Sequence, residues 1–210
     1  MPRTLLLPPR YCAPIGYYAA LVWADVAIYD TAARYDKRCK AVHRADIADT
    51  HGPLQLTVPV SKGDAAPGTR PLWAQRSVSE HGRWWEIHRI ALESAYGRTP
   101  YFQFYIDNLL PMLNRSSVGM SIVDFDRAID ASIRKMLHIA TPVKPCTEPA
   151  ADAITLSRLV IPPAPPYWQV RGEKHGFLGG LSILDLLFNL GPEAQLVLRD
   201  MARQITLTQE

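Results

Sequence analysis

The first thirty residues alternate short apolar runs with one apolar stretch of helical spacing. Thr4–Leu7 is an apolar run closed by prolines and predicts a buried strand. Residues 14–23 are spaced like a short helix, and Val26–Asp30 predicts a second strand that ends in a carboxylate. A strand, a helix and a strand in this order predict a right-handed crossover with parallel strands.

Three polar residues lie at or just beyond the carboxyl ends of these two strands. Ligands of parallel sheets collect beyond the carboxyl ends of the strands, where Arg10, Tyr11 and Asp30 are expected. Asp30 has two interpretations, a turn-forming residue or a catalytic or ligand-binding carboxylate. The sequence leaves both open.

The region up to residue 80 predicts further strands. Residues 37–44 fit a strand with Lys37 and His43 on one face, and residues 54–60 alternate well enough for another. Pro59 donates no ladder hydrogen bond, so it predicts an edge or a strand end. Residues 75–79 are a further candidate strand.

From Trp84 onward the apolar period becomes helical. The first predicted helix buries Trp84, His88, Ala91, Leu92 and Ala95 on one face. Pro100 at a first helical position predicts a second helix that runs through Leu109. Ser121, with Asp124 in a capping-box position, predicts a third helix. Its apolar stripe consists of Ile122, Phe125, Ile129, Ile133, Met136 and Ala140.

The C-terminal third begins with a proline-rich stretch. Residues 141–166 predict a stiff extended connector across the surface, with a short strand at 156–161. Ser182 and Asp185 predict a capped helix that ends at Gly191, and Pro192 begins the last helix.

These patterns predict an α/β fold. We expect a small mixed sheet from the N-terminal half, packed with helices concentrated in the C-terminal half. The whole chain, 1–210, is expected to form one domain. Its parts are a strand-rich 1–80, a helical 81–140, the connector 141–170, and helices in 171–210 that return to the core.

Composition narrows the protein class. A chain of 210 residues with 48% hydrophobic and 20% charged residues is typical of a soluble globular domain that needs no staple. The three cysteines, Cys12, Cys39 and Cys146, are widely spaced and form no C-x-x-C motif. No apolar run is long enough for a signal peptide or a membrane span, so we expect a cytoplasmic protein.

Several familiar signatures are missing. The sequence has no G-x-x-x-x-G-K-[ST], G-x-G-x-x-G, G-x-S-x-G or H-E-x-x-H motif and no clustered metal ligands. We therefore expect no metal site, and the sequence identifies no cofactor. If phosphate is bound, side chains must bind it.

The densest group of cations lies at residues 37–44. It contains Lys37, Arg38, Lys40 and Arg44, four of the chain's 23 Lys and Arg, although the net charge is only +3. Like charges held close together repel one another, so this run favours contact with an anion or with water. An anion site and a solvated strand remain equally good interpretations.

Three residues around residue 85 have alternative roles. His88 lies on an apolar helix face, as either a buried neutral imidazole or a general base. His81 precedes the helix N-terminus, where a neutral imidazole is favoured. Trp84 suits either the core or a platform that stacks on a base or sugar ring. Lys174 and His175 similarly form either a surface turn or a ligand contact.

Together these segments resemble the WbqC-like family of bacterial proteins over residues 5–198. The motifs are Tyr11-x-x-Pro14-Ile15-Gly16-Tyr17-Tyr18, Ala24-Asp25-Val26, Tyr35-x-Lys37, Leu56-Thr57-Val58-Pro59-Val60, Trp84…His88…Ser94-Ala95-Tyr96…Pro100-Tyr101-Phe102 and the stretch from Leu181 to Pro192. The resemblance implies an association with surface-polysaccharide (O-antigen type) gene clusters and a group-transfer role. Leu7-Pro8 replaces a His-Gln pair of many members.

The first functional hypothesis is a cytoplasmic transferase that acts on an anionic, nucleotide- or phosphate-bearing sugar or related substrate. His88 or His43 is expected to move the proton and Tyr11 or Tyr17 to orient the acceptor. The candidate catalytic residues are His88, His43 and Asp30. The candidate substrate-binding residues are Arg10, Tyr11, Tyr17, Lys37, Arg38, Lys40, Arg44, His81, Trp84, Lys174 and His175.

Two other functions are compatible with the sequence. The first is a non-enzymatic binding or assembly module for an envelope-synthesis partner, in which aromatic helices and the proline-rich connector meet another protein. The second, nucleic-acid binding, is disfavoured because a net charge of +3 leaves no broad basic face. The oligomeric state remains open.

Overall fold

The computed structural model describes residues 2–62, 70–146 and 152–208. Within these ranges the strands form one four-stranded parallel sheet, of order β5-β2-β1-β6, and the antiparallel pairs β3-β4 and β7-β8. The strands are β1 Thr4–Leu7, β2 Val26–Asp30, β3 Arg44–Asp49, β4 Gly52–Thr57, β5 Val143–Cys146, β6 Ile154–Thr155, β7 Leu159–Val160 and β8 Thr206–Leu207.

Helices account for most of the remaining regular structure. They are α1 Ile15–Trp23, α2 Trp84–Tyr96, α3 Phe102–Tyr105, α4 Ile122–Met136, α5 Gly172–His175, α6 Ile183–Leu190 and α7 Ala194–Gln204. The predicted α/β class, with an N-terminal sheet and helices mainly after it, is confirmed. None of the helices in the described ranges is long and apolar enough to span a membrane.

The β1-α1-β2 unit forms as the apolar pattern predicts. β1 and β2 pair in parallel, with Leu5 opposite Ala27 and Leu7 opposite Tyr29, and all four side chains are buried. Helix α1 is apolar around most of its circumference, so both of its faces must be covered. It packs against α7 and contacts α6.

The strand order reverses at β1. The chain leaves β1 towards β2 and β5 and then returns to the opposite side, where β6 pairs with β1. Such a reversal leaves a crevice outside the carboxyl ends of the two strands on either side of it. That crevice adjoins Arg10, which follows β1, and Leu156, which follows β6.

The proline-rich connector is more structured than its composition indicates. We predicted a surface connector, but its first part supplies β5 and β6 to the parallel sheet. Pro145 is tolerated because β5 is an edge strand, where a missing donor costs little. The strand expected at 156–161 is shorter, because a 3₁₀ turn over Leu156–Arg158 precedes β7.

The strand predicted over residues 37–44 is wrong. The Asp36 carboxylate accepts a hydrogen bond from the Arg38 N–H at 2.8 Å, and the Asp36 carbonyl accepts one from the Cys39 N–H at 3.0 Å. These local bonds compete with strand pairing and start a turn. A 3₁₀ helix over Lys40–Val42 follows, so β3 begins only at Arg44.

Several other elements begin or end at different residues from those predicted. β4 ends at Thr57, short of Pro59, and residues 75–79 form isolated bridges at Ser77 and Val78 and no strand. The helix expected to reach Leu109 breaks after Tyr105 into a 3₁₀ turn. Ser121 occupies the N-cap of α4, but its side chain makes no capping hydrogen bond. Ala140 lies beyond the end of α4 and is exposed.

Gly191 provides a test of the packing between α6 and the loop before α3. Its φ of +53° is unfavourable for side chains, and a Cβ there would lie 2.5 Å from the Tyr101 ring. Gly191→Ala is therefore expected to lower the free energy of unfolding by roughly 2–4 kcal/mol, from backbone strain and overpacking together. Gly82→Ala is the matched control, since Gly82 has a φ of +72° and open space around it. Equal losses in urea denaturation would contradict the packing explanation.

Candidate functional site

Cations from two separate segments meet at a cavity of about 290 Å³, called here the basic cavity. Its polar lining consists of Arg10, Lys40, Arg44, Asp46, Gln55 and Ser182. Arg10 follows β1, Lys40 begins the 3₁₀ turn, and Arg44 begins β3. The turn that replaces the predicted strand thus brings Lys40 to the same cavity as Arg44.

The β3-β4 hairpin fixes the polar wall of the basic cavity. Arg44 and Asp46 are two residues apart on β3 and share one face of the hairpin, and Gln55 lies opposite Asp46 on β4. Arg44 Nη1 donates to Gln55 Oε1 at 2.9 Å, and Gln55 Nε2 donates to Asp46 Oδ1 at 3.0 Å. The amide therefore holds the guanidinium and the carboxylate in fixed orientations.

The charge of the basic cavity is not neutralised internally. Three cations face one carboxylate, and among the described residues none of the three forms an ion pair. The Nε atoms of Arg10 and Arg44 are buried without a hydrogen-bond partner in the described part of the chain. A guanidinium presents its donors in a planar fork that suits phosphate or carboxylate oxygens. The cavity is therefore suited to an anion.

Backbone hydrogen bonds join the walls of the basic cavity. Tyr11 N–H donates to the Ala41 carbonyl at 3.0 Å, and Ser182 N–H donates to the Asp46 carbonyl at 2.8 Å. Ser182 Oγ donates to the Cys12 carbonyl at 2.8 Å. Cys12 itself has a φ of +40°, a strained value for a residue with a side chain. The surrounding bonds hold this turn in place.

Two carboxyl groups of α4 that were not identified from the sequence are buried in the structure. Asp126 is fully buried, and neither carboxyl oxygen has a hydrogen-bond partner among the described residues. Burial, and then the charge of Asp130, raises the pKa of Asp126 well above its ordinary value. Asp130 is bonded to Arg134 Nε at 2.7 Å, but burial still raises its pKa. The spacing of Ile122, Asp126 and Asp130 on one helix face was the available signal.

These acids lie close to the turn that lines the cavity. Burial raises the pKa of the Cys12 thiol, and the charge of Asp126 raises it further. Burial likewise raises the pKa of Tyr17, followed by the charges of Asp130 and Asp126. Cys12 lines the basic cavity and is a neutral thiol at neutral pH. It is not an activated nucleophile.

His88 is a core residue that lines none of the cavities described here. It is 2% exposed, and its Nε2 lies 3.2 Å from the Thr57 carbonyl. Because a carbonyl only accepts, Nε2 carries the proton, so Nδ1 accepts from the Tyr11 hydroxyl at 2.8 Å. Burial lowers the pKa of His88 to about 4. Trp84 is also buried, and its Nε1 donates to the Ser79 carbonyl at 3.0 Å.

The other predicted site residues are dispersed. Lys37 and Arg38 line a separate cavity of about 500 Å³ together with Arg34 and Arg70. His43 Nδ1 lies 3.1 Å from the Val58 carbonyl, and burial lowers the pKa of that imidazole.

The remaining candidates make local contacts. Lys174 Nζ and His175 Nε2 both lie at the Thr50 carbonyl, at 2.6 and 3.1 Å, on the β3-β4 turn. Asp30 Oδ1 accepts from the Ala32 N–H at 3.0 Å, as in a turn-forming residue, and burial raises the pKa of Asp30. His81 is exposed in the 3₁₀ turn before α2.

Arg10 also lines a second cavity, of about 410 Å³, called here the apolar cavity. Tyr17 lies in its wall. Within the described ranges, no group of three or more His, Cys, Asp or Glu side chains could hold a metal ion.

One comparison with known proteins gives a match, to a protein family. The model of the WbqC-like protein family matches residues 9–161 of the chain, which confirms the resemblance noted in the sequence. The match includes Arg10, Lys40, Arg44 and Asp46 and ends before Ser182. No curated protein and no solved structure matches the chain significantly.

The buried carboxyl group of Asp126 should make the stability of the protein depend on pH. Its folded-state pKa is raised, so the folded state holds this proton at pH values where the unfolded state has released it. The stabilising effect of that proton is complete below the ordinary pKa of 3.8 and is lost as the pH rises. Asp126→Asn is therefore expected to be more stable than wild type by roughly 1–3 kcal/mol at about pH 8, and the gap should close towards pH 4.

Urea denaturation at several pH values measures this difference. Asp124→Asn is the control, because Asp124 is half exposed and pairs with Arg127 on the surface of the same helix. Its stability should change by less than about 0.5 kcal/mol at every pH. A pH-independent difference between wild type and Asp126→Asn would contradict the prediction.

The buried imidazole of His88 should change stability with pH in the opposite direction. Its folded-state pKa is lowered from 6.5 to about 4, so the unfolded state binds more protons between these values. Stability from His88 is present above pH 6.5 and is lost as the pH falls towards 4. His88→Gln should lower stability at neutral pH by roughly 1–3 kcal/mol. It should also flatten the acid side of the stability curve in urea titrations. A slope equal to that of wild type would show that His88 is not the titrating group.

Proposed function

The chain belongs to the WbqC-like protein family, and we propose that it is a cytoplasmic group-transfer enzyme for an anionic substrate. The substrate is a nucleotide- or phosphate-bearing sugar, or a related compound, of surface-polysaccharide synthesis. The polysaccharide setting follows from the family resemblance, and the anionic character follows from the basic cavity. The observation that carries the proposal is the convergence of Arg10, Lys40 and Arg44 without a counter-charge of equal size.

The three cations have different roles in this proposal. Arg44, held by Gln55, binds two anion oxygens through its planar fork. Lys40 contributes a point charge, and Arg10 binds from the opposite segment. Such donors also stabilise the negative charge that grows on a leaving phosphate during transfer.

A group-transfer step needs an acceptor for the proton of the attacking hydroxyl or amine. Asp46 is the one carboxylate in the described lining of the basic cavity, and Gln55 occupies its Oδ1. We propose that Asp46 Oδ2 takes this proton. His88 supports the site indirectly, because it holds the Tyr11 hydroxyl at 2.8 Å next to the cavity-lining turn.

Exposed apolar side chains on α2 and α3 support a second candidate function. Ile87 and Ile90 are neighbours on the outer face of α2 and are 58% and 68% exposed, and Phe104 of α3 is 75% exposed. Exposed apolar side chains mark a partner-binding surface when they are contiguous, and Ile87 and Ile90 are three residues apart on one helix. They favour the non-enzymatic assembly module, which needs no anion site.

Anion binding is tested with inorganic pyrophosphate. Wild type is expected to bind pyrophosphate with an affinity that falls as salt is raised. Arg44→Gln should weaken binding roughly 10- to 100-fold, because a charge-assisted contact is lost. Arg127→Gln is the matched control, since Arg127 is an exposed arginine of α4 outside the cavity. Equal affinities in isothermal titration calorimetry would refute the anion site.

Catalysis is tested separately with a panel of nucleotide-activated sugars and sugar phosphates as donors and an extract of bacterial polysaccharide as acceptor. Wild type should release nucleotide or phosphate faster than the buffer control, and Asp46→Asn should reduce this release while pyrophosphate binding persists. Binding of pyrophosphate without release from any of these donors would overturn the group-transfer step.

A further inference from the structure

The apolar cavity has walls that suit an aliphatic group. Its volume is about 410 Å³, which lies within the range of small-molecule sites. The apolar walls include Ile15, Leu156, Ile161, Pro162, Ala164 and Met201. They come from the start of α1, the connector after β6, and α7. The crevice at the strand reversal is therefore covered by apolar side chains from three separate segments.

The apolar cavity and the basic cavity are neighbours. Arg10, Pro14 and Gly180 line both. Arg10 therefore lines both an apolar space and an unneutralised cationic space. A single ligand with an anionic end and an apolar end would match this pair of cavities.

The wall chemistry distinguishes an aliphatic group from a nucleobase. A base needs an aromatic face to stack on and polar groups to read its edge. Tyr17 is the one aromatic residue of the described lining, and it is 3% exposed and packed edge-on against Tyr18 at 5.2 Å. Arg10 and Tyr17 supply the only polar side-chain atoms of that lining. The cavity thus has little with which to recognise a base.

We infer that the apolar cavity binds an aliphatic group of the same substrate whose anionic group occupies the basic cavity. This inference rests on the proposed function and deepens it, because it assigns the substrate to the class of phosphates that carry an aliphatic chain. Burial of each CH2 of such a chain increases affinity about fourfold. The chain length at which this gain stops reports the depth of the cavity.

The test is a titration of wild type with inorganic phosphate and with ethyl, butyl and hexyl phosphate. Affinity is expected to rise about fourfold for each added CH2 until the cavity is full. Uridine monophosphate, the nucleobase probe, should bind no better than ethyl phosphate. Tighter binding of uridine monophosphate than of hexyl phosphate would overturn the aliphatic assignment.

Two variants link the chain-length effect to the apolar cavity. Ala164→Leu fills it and should abolish the gain from ethyl to hexyl phosphate while inorganic phosphate binds as before. Ile161→Ala enlarges it and should move the plateau to a longer chain, which provides a second readout if Ala164→Leu fails to fold. Ala91→Leu is the control, because Ala91 is a half-buried alanine of α2 outside the cavity.

The outcomes separate this inference from the proposed function. If inorganic phosphate binds but chain length has no effect, the apolar cavity has no role and the anion site stands. If no phosphate binds, the proposed function fails, and hexanol then tests the apolar cavity alone. Hexanol binding that Ala164→Leu removes would support an aliphatic site, and its absence in wild type would overturn it.

Discussion

Ser182 joins the segments on which the basic cavity depends. Its N–H bonds to Asp46 of β3, its hydroxyl bonds to the Cys12 carbonyl after β1, and the same oxygen accepts the Leu184 N–H at the start of α6. Buried polar groups in such a network are stable only when each is satisfied. One buried serine therefore fixes the hairpin and the turn after β1 relative to α6. The positions of Arg44 and Arg10 follow from those two segments.

The apolar pattern predicted the elements that are buried on a regular period. β1, α1, β2, α2 and the N-terminal end of α4 follow their patterns because burial decides those residues. The pattern failed where local hydrogen bonds compete with regular structure, as at Asp36. It also failed where pairing is non-local, because nothing in residues 143–155 indicates that two short strands complete the sheet on either side of it.

The sequence likewise predicted only part of the candidate site. Arg10 could be anticipated because it follows a parallel strand, and Lys40 and Arg44 because they belong to the basic run. Lys37 and Arg38 belong to the same run but line a different cavity, since they lie within the turn from Asp36 to Cys39 and Lys40 lies beyond it. The buried Asp126 escaped prediction because carboxylates on a helix usually face water. Its spacing from Ile122 places it on the same, buried face of the helix, and this was the evidence for its burial.

His88 illustrates how a histidine at a helical core position is used. Both ring nitrogens are hydrogen-bonded inside the protein, and the ring packs edge-on to Trp84 at 5.2 Å. A group in this setting holds neighbouring side chains in place and stays neutral at neutral pH, because burial lowers its pKa. The Tyr11 hydroxyl is thereby locked in one orientation behind the turn that carries Cys12.

If both cavities bind ligands as proposed, Arg10 would link the two binding events thermodynamically, because its side chain lines both cavities. A ligand that immobilises this guanidinium in one cavity lowers the entropic cost of using it in the other. Two separate fragments should consequently bind cooperatively. Joining them covalently should give an affinity above the product of the two, through effective concentration.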